Sequence, residues 1–240
     1  MNKIKTLLIT FIFSIIFYGN AVAATGAASE YKITIYKMEL CDDTSTASVC
    51  NGAVTVYDGN SGAIDIANTS AGAAAASLGN AGLASFGVNY TYMQITMNRA
   101  FTVKGSAADD SGTTCYTKST LAGSADELGK GTTTAGDVGA TTLYAAMVGD
   151  EVGDNLTGLQ TLADTTGVAS QIQSNDEYLQ YRQKLAKTFT LVPGNIPSIK
   201  IAFGTSAALG ATDDMGDACT TVGAAKGLYA AEPDVTVTIE

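Results

Sequence analysis

The sequence predicts a mostly β protein whose strands form an antiparallel β-sandwich. Several segments alternate apolar and polar residues with a period of two, as half-buried strands do. Glycine, asparagine, aspartate and proline bound these segments, and these residues favour turns. Only one clear helix signal accompanies them, so the chain does not alternate strands with helices. Residues 24–240 are long enough to form one domain with a substantial core.

Three segments alternate most clearly. The first runs from Met93 to Val103 and places its large apolar side chains at odd positions. The second consists of two short apolar runs on either side of Pro193-Gly194-Asn195, which predicts a hairpin. The third runs from Val235 to Glu240, and shorter candidates are Val54 to Tyr57 and Ile64 to Ile66. Six or more such strands favour a sandwich of the immunoglobulin-like or transthyretin-like type.

The first strong strand, Tyr31 to Leu40, changes its apolar phase part-way along. Ile33 and Ile35 occupy odd positions, whereas the apolar residues that follow occupy even ones. An extra residue in one strand shifts the phase in this way, so we expect a β-bulge near Tyr36-Lys37.

Residues 105–174 have a different composition, rich in glycine, threonine, serine, alanine and aspartate. Within them only Thr142 to Val148 indicates a strand. A stretch of this length is too long for an ordinary loop, which predicts a long insertion in the sandwich. Ser174 and Glu177 then form a capping box ahead of an apolar run that ends near Leu185. That pattern predicts one short helix.

The first 23 residues match a secretory signal peptide. Lys3 and Lys5 precede an apolar run from Leu7 to Phe17, and Ala21-Val22-Ala23 is the small-residue pattern of a cleavage site. The apolar run is shorter than the ~20 residues that span a bilayer. We therefore expect residues 1–23 to be removed, with no membrane span left after cleavage. The mature protein is expected to be secreted, in the periplasm, on the outer surface or outside the cell of a Gram-negative bacterium.

Charge and composition argue against several classes of function. The formal charge is −10, and it becomes −12 when Lys3 and Lys5 leave with the signal peptide, because that segment holds no acidic residue. Such an acidic chain is a poor partner for nucleic acid or for an anionic membrane. The sequence contains no histidine, which removes Ser-His-Asp and Cys-His catalysis and histidine-ligated zinc. Catalysis is not expected, and paired carboxylates are the one arrangement left open.

The four cysteines all follow the predicted cleavage site, and export would place them where disulfides persist. Four cysteines allow three pairings. The short polar loop between Cys41 and Cys50 favours their pairing, which leaves Cys115 with Cys219. The alternative, a four-thiolate metal site, lacks any Cys-x-x-Cys spacing.

Calcium is the one cofactor that the sequence suggests, because acidic residues cluster at several places and calcium prefers oxygen ligands on loops. Asp213, Asp214 and Asp217 are the first candidates. The clusters lack the spacing of an EF-hand and of the calcium-binding β-roll repeats. Solvated turns, in which aspartate accepts bonds from nearby amides, are the favoured explanation.

Three residues are candidates for ligand binding. Tyr90 and Tyr92 share one face of their strand, and an exposed aromatic pair can bind sugars or protein partners. Packing between neighbouring strands explains the same pair equally well. Arg99 is the one charged residue at the alternate positions of its strand that are otherwise apolar. It is a ligand contact, a buried ion-pairing residue or, as we favour, the mark of a bulge or strand end.

The order of segments also resembles that of known proteins. The segments concerned are Tyr31 to Leu40, Ile64-Asp65-Ile66, Gly87 to Ile95, Ile199 to Phe203 and the last strand after Pro233. This order resembles a group of secreted bacterial β-sandwich domains of unknown function. The resemblance implies a β-sandwich at the cell surface or in the periplasm, and it implies no activity.

These observations predict an exported structural or interaction protein of the bacterial envelope or cell surface. The alternative is a carbohydrate- or calcium-binding module, and a hydrolase that uses carboxylates ranks last. The expected partners are a polysaccharide, an envelope protein or a second copy of the chain. Ala24 to Glu30 or Val235 to Glu240 could complete a neighbouring subunit by strand addition. Pairing of both terminal strands within their own sheet is the favoured alternative.

Overall fold

The computed structural model describes residues 25–68, 78–109, 112–123, 129–144, 159–162, 177–195, 197–213 and 226–240. The strands in these residues are β1 (Thr25–Gly26), β2 (Ala28–Asp42), β3 (Val54–Asp58), β4 (Ala63–Asp65), β5 (Asn89–Asn98), β6 (Ala100–Ala108), β7 (Thr114–Thr117), β8 (Gly131–Thr132), β9 (Thr141–Tyr144), β10 (Leu159–Leu162), β11 (Tyr178–Thr190), β12 (Ile199–Gly204), β13 (Leu209–Asp213), β14 (Lys226–Ala230) and β15 (Asp234–Ile239). Two short 3₁₀ turns span Ala81–Leu83 and Ala135–Asp137, and the described residues contain no α-helix. The predicted mostly β fold is therefore confirmed.

The strands form two open sheets. The larger sheet has the order β12-β15-β11-β5-β2-β6-β7-β8, with β3 and β4 paired to β2, β9 to β6 and β10 to β11. The smaller sheet has the order β1-β13-β14. Ile33 and Ile35 of β2 line the same small apolar void as Ile201 and Phe203 of β12. The larger sheet thus curls so that its strands enclose a common core, as in a sandwich-like fold.

Strand β2 is the centre of the larger sheet. β5 and β6 pair along one of its edges, and β3 and β4 pair along the other. The register against β5 shifts between Ile35 and Lys37, which is the predicted β-bulge. Buried side chains change phase there, from Ile33 and Ile35 to Met38 and Leu40. The extra residue keeps both halves of this long strand facing the core.

The predicted strand from Met93 to Val103 is divided into two, β5 and β6, at Arg99. The Arg99 amide donates to the carbonyl of Glu177 at 3.0 Å, outside the ladder with β2. Its side chain is fully buried, and the guanidinium carbon lies 5.3 Å from the ring centroid of Tyr144. Arg99 therefore marks a strand end, and it is also a buried cation stacked on an aromatic ring.

The predicted helix after Ser174 is wrong, because the residues concerned form β11. This strand runs antiparallel to β5, pairs with β10, and meets β15 in parallel at Leu185 and Val237. Leu179, Tyr181 and Leu185 are buried at odd positions, so the same apolar residues also satisfy a period of two. Pairing with a central strand satisfies the backbone along its length and outweighs the local capping signal.

The predicted hairpin across Pro193-Gly194-Asn195 is also wrong. The turn exists, and Gly194 supplies its positive φ of 86°. However, β12 pairs with β15 and not with β11, because β15 lies between them. The C-terminal strand is therefore an interior strand of the larger sheet.

The region 105–174 contains more strands than its composition indicates. Besides the end of β6, it holds β7, β8, β9 and β10. The predicted strand Thr142 to Val148 corresponds to β9 in its first residues, and its remainder lies outside the described residues. β7 and β9 both pair with β6, so small and polar residues here extend the larger sheet.

Candidate functional site

Tyr90 is a core residue. Its side chain is 1% exposed, its hydroxyl accepts a hydrogen bond from the Ser85 amide at 3.0 Å, and its ring stacks 6.3 Å from that of Phe189. Tyr92 is half-buried and lies between Cys41 and Lys184 in the sheet. The expected exposed tyrosine pair is therefore not formed, since only Tyr92 reaches solvent.

The proposed calcium ligands fall mostly outside the described residues. Asp213 ends β13 opposite Lys226, whereas Asp214 and Asp217 are not described. Among the described residues no group of three or more aspartate, glutamate, histidine or cysteine side chains could hold a metal. At another acidic cluster, bonds from the Thr44 hydroxyl and amide lower the pKa of the Asp42 carboxyl. This is the solvated turn that the sequence favours.

The predicted disulfide between Cys41 and Cys50 is present, with an S–S distance of 1.98 Å. It closes the loop that follows β2, and Cys41 is fully buried. Cys115 is buried in β7, and Cys219 lies outside the described residues, so that pairing stays a prediction.

A row of polar side chains crosses the larger sheet on the face away from the core. Glu39, Gln94 and Arg182 are direct partners on β2, β5 and β11. Lys37 pairs with Glu39 at 2.5 Å, and the Gln94 amide nitrogen donates to the other Glu39 oxygen at 2.7 Å. All members of the row other than Lys37 are buried. Burial lowers the pKa of the Arg182 guanidinium, and the charge of Glu39 opposes that shift.

Some hydrogen-bonding groups of this row have no partner among the described residues. Arg182 donates through Nη2 to Gln180 at 3.4 Å, but its Nε and Nη1 have no acceptor. The Oε1 atom of Gln94 likewise has no donor. These three atoms are buried, so a ligand reaches them only if neighbouring side chains move. The sequence does not reveal this row, because its members lie on strands far apart in the chain.

A polar cleft and an apolar cavity meet at the start of β15. The cleft has a volume of about 350 Å³, and the residues that line it are Tyr181, Gln183, Glu232, Pro233, Asp234 and Val235. The cavity has a volume of about 40 Å³ and shares Tyr181, Glu232 and Pro233 with the cleft. Two carboxylates therefore stand at the mouth of an apolar space.

Burial perturbs the ionisable groups at this mouth. Burial raises the pKa of the Glu232 carboxyl, the charge of Asp234 adds to the effect, and a hydrogen bond with Tyr181 opposes it. Burial also raises the pKa of the Tyr181 hydroxyl, which donates to Gln183 Oε1 at 2.7 Å. Groups with perturbed pKa values in a cleft are a physical mark of a binding site.

The stability of the protein is expected to fall, relative to a Glu232→Gln variant, as the pH rises. A carboxyl whose pKa is raised by folding holds its proton more tightly when folded, so its ionisation costs stability. That cost is absent below the unfolded-state pKa of about 4.3 and complete above the folded-state pKa. Because water screens the half-buried Glu232, the cost stays below about 1 kcal/mol.

Thermal melts of both proteins between about pH 4 and pH 8 check this expectation. The gap in melting temperature should open with rising pH. Asp58→Asn, at an exposed position of β3, serves as the matched control because it removes the same charge from a solvated site. A gap that is constant with pH, or equal for the two variants, would contradict the prediction.

The exposed large apolar side chains of the described residues lie at one end of the larger sheet. They are Val49, Leu83, Phe86 and Val192, between 48% and 66% exposed. Val49 follows β2, Leu83 and Phe86 precede β5, and Val192 follows β11. These three strand ends lie together, since Asp42 pairs with Tyr90 and Thr190 with Asn89. Phe86 and Leu191 also form a bridge. We call these four side chains the apical surface.

Comparison of this sequence and structure with known proteins identified no relative. No family model matches the sequence, and neither the curated proteins nor the solved structures gave a significant match. In the described residues, no helix has the length and apolar character needed to cross a membrane. The functional argument therefore depends on the residues and their geometry.

Proposed function

We propose that the protein is an exported structural or interaction protein of the bacterial envelope or cell surface, acting by binding and not by catalysis. The apical surface is the observation that carries the proposal. Single apolar side chains are normal on a protein surface, but Phe86 and Val192 lie together at the Phe86–Leu191 bridge, and grouped exposed apolar side chains are typical of an interaction site. The signal-like segment at residues 1–23 and the Cys41–Cys50 disulfide support export to an oxidising compartment.

The proposed partner at the apical surface is a second copy of the chain, bound head to tail. The first residues of β2 lie at the end of the larger sheet opposite to the apical surface, so a head-to-tail contact joins two unlike ends. A contact between unlike ends that does not close into a ring extends into a filament. β1 already pairs with β13, and β15 lies between β11 and β12. Assembly through loops therefore needs no exchange of terminal strands.

Removing the apical apolar side chains is expected to abolish self-association. In the double variant Phe86→Ser and Val192→Ser, the contact loses its apolar area while both positions are exposed, so folding should be little affected. Thr133→Ser with Ala135→Ser, also at exposed positions, is the matched control. Sedimentation velocity of the processed protein should show concentration-dependent association for the wild type and the control, and a monomer for the apical variant.

Two results would overturn the proposal. One is a wild-type protein that sediments as a monomer at every concentration and forms no filaments in electron micrographs of cells. The other is recovery of the protein in the cytoplasmic fraction with residues 1–23 attached. Association that persists in the apical variant would instead place the contact elsewhere on the molecule, including the terminal strands.

Polysaccharide binding is the second candidate function. The observation in its favour is the half-buried ring of Tyr92 beside the polar row, since an aromatic ring on a sheet face can bind a sugar. Tyr92 lies one row further along the same face. A ligand that binds only the folded state raises the melting temperature. Melts with a panel of polysaccharides, and with calcium, separate this candidate from the first.

A further inference from the structure

Four aromatic rings line part of the cavity beside Glu232, together with aliphatic side chains. Tyr31, Phe101, Tyr181 and Phe203 all contribute to its wall. The rings of Tyr31 and Phe101 lie 5.4 Å apart at an angle of 45°, and the Tyr31 hydroxyl is held by the carbonyl of Ala231 at 3.0 Å. Aromatic rings attract a cation placed over them, and several rings together recognise quaternary ammonium groups.

The mouth of the cavity is negatively charged. Glu232 borders both the cavity and the cleft, and Asp234 borders the cleft. Among the described residues, every ion pair involves other carboxylates, so neither Glu232 nor Asp234 has a basic side chain within 4.0 Å. A positively charged ligand would therefore meet carboxylates that no protein cation already neutralises.

The sizes of the two spaces limit the ligand further. A cavity of about 40 Å³ accommodates a few water molecules or a small apolar group, and not a long acyl chain. The adjoining cleft of about 350 Å³ is open and polar, and it can hold a hydrophilic remainder. The ligand should thus be compact and apolar around its charge and polar beyond it.

We propose that this site binds a small organic cation, a quaternary or alkyl-substituted ammonium compound. Its methyl or methylene groups enter the aromatic cavity, its charge lies beside Glu232 and Asp234, and its polar part occupies the cleft. An inorganic cation is disfavoured, because the apolar wall offers no oxygen ligands to replace its hydration shell. The site is independent of the apical surface and of self-association.

Choline is the probe that tests the proposal, and 3,3-dimethylbutan-1-ol is its matched control. The alcohol has nearly the same shape but replaces the charged nitrogen by carbon. Titration calorimetry of the processed protein should show saturable binding of choline at one site. Removal of the charge should weaken binding about tenfold or more, the size of a desolvated cation–π and carboxylate interaction.

Two variants test whether choline binds beside Glu232 and Asp234. Glu232→Gln keeps the shape of the side chain and removes its charge, and it should weaken choline binding about tenfold. Asp234→Asn provides a second measurement at the same mouth, so the test does not depend on one variant folding. Asp58→Asn removes an equal charge from an exposed position elsewhere and should leave binding within about twofold. Circular dichroism verifies that each variant is folded.

The outcomes are distinct. Loss of binding in the two mouth variants alone supports the proposal. Equal binding of choline and its neutral analogue would overturn it, as would equal weakening by all three variants, which indicates only attraction to an acidic surface. No binding of choline, of tetramethylammonium or of butylammonium would show that the cavity is a packing defect of the core.

Discussion

Replacement of Tyr90 by alanine is expected to destabilise the protein by about 3–5 kcal/mol, as for other large aromatic residues removed from a core. The ring is almost completely buried against Phe189, and its hydroxyl accepts the bond of the Ser85 amide. The variant therefore loses apolar burial, leaves a cavity and removes the hydrogen bond to Ser85. In denaturant unfolding, this loss of stability should appear as a lower midpoint concentration of denaturant.

Tyr92→Ala is the matched control, since Tyr92 lies two residues away on the same strand and is only half-buried. Its loss of stability should be clearly smaller than that of Tyr90→Ala. Tyr90→Phe keeps the ring and should cost about 0.5–1.5 kcal/mol, the range for one hydrogen bond, because water can reach the exposed Ser85. A Tyr90→Ala protein with an unchanged midpoint would show that Tyr90 is not part of the core.

Removal of the Cys41–Cys50 disulfide is expected to cost about 2.7 kcal/mol, because the cross-link restricts the unfolded chain over a loop of ten residues. The variant that tests this is Cys41→Ala with Cys50→Ala. Cys50→Ala alone keeps the buried Cys41 side chain in place, so it separates the cross-link from packing. Both variants should lose most of this free energy.

Stability that is unchanged in Cys50→Ala would contradict the prediction. Hydrogen bonds already hold this loop, among them those from the Asp42 amide to Asn51 and from Thr46 to Val49. If these local bonds persist in the unfolded chain, the cross-link removes less entropy than the loop length indicates. The measured loss therefore reports how much of the loop is ordered before the sheet forms.

The sequence predicts the strands well where burial alternates strictly along one chain segment. The bulge near Tyr36 and the strand β15 are examples, because each is determined by its own apolar pattern. β11 is different, since its apolar residues satisfy both a helical and an extended period. Only the pairing of Leu179 and Tyr181 with Met97 and Ile95 of β5 decides between them. A local sequence pattern cannot predict long-range pairing of this kind.

The prediction of candidate functional sites is limited in the same way, because a local pattern does not show which distant residues come together. The Cys41–Cys50 pair was predictable, because a short loop joins its two residues. The row of Glu39, Gln94 and Arg182 was not, because the sheet brings together three separate strands. Glu232 follows β14 in an ordinary turn-like sequence, and its role depends on the cavity that β2, β6 and β12 complete. The expectation for Tyr90 failed because the register against β2 and β11 shifts between Tyr92 and Tyr90, and Phe189 covers the Tyr90 ring.

The position of β15 has a consequence for how the larger sheet is completed. It follows β11 and β12 in the chain, yet it fits between them. Without residues 234–240, both edges of β12 lack a neighbour among the described strands, and β11 loses its contact at Leu185. Unpaired edges combine readily with other chains. A chain truncated before Asp234 should therefore aggregate or be degraded.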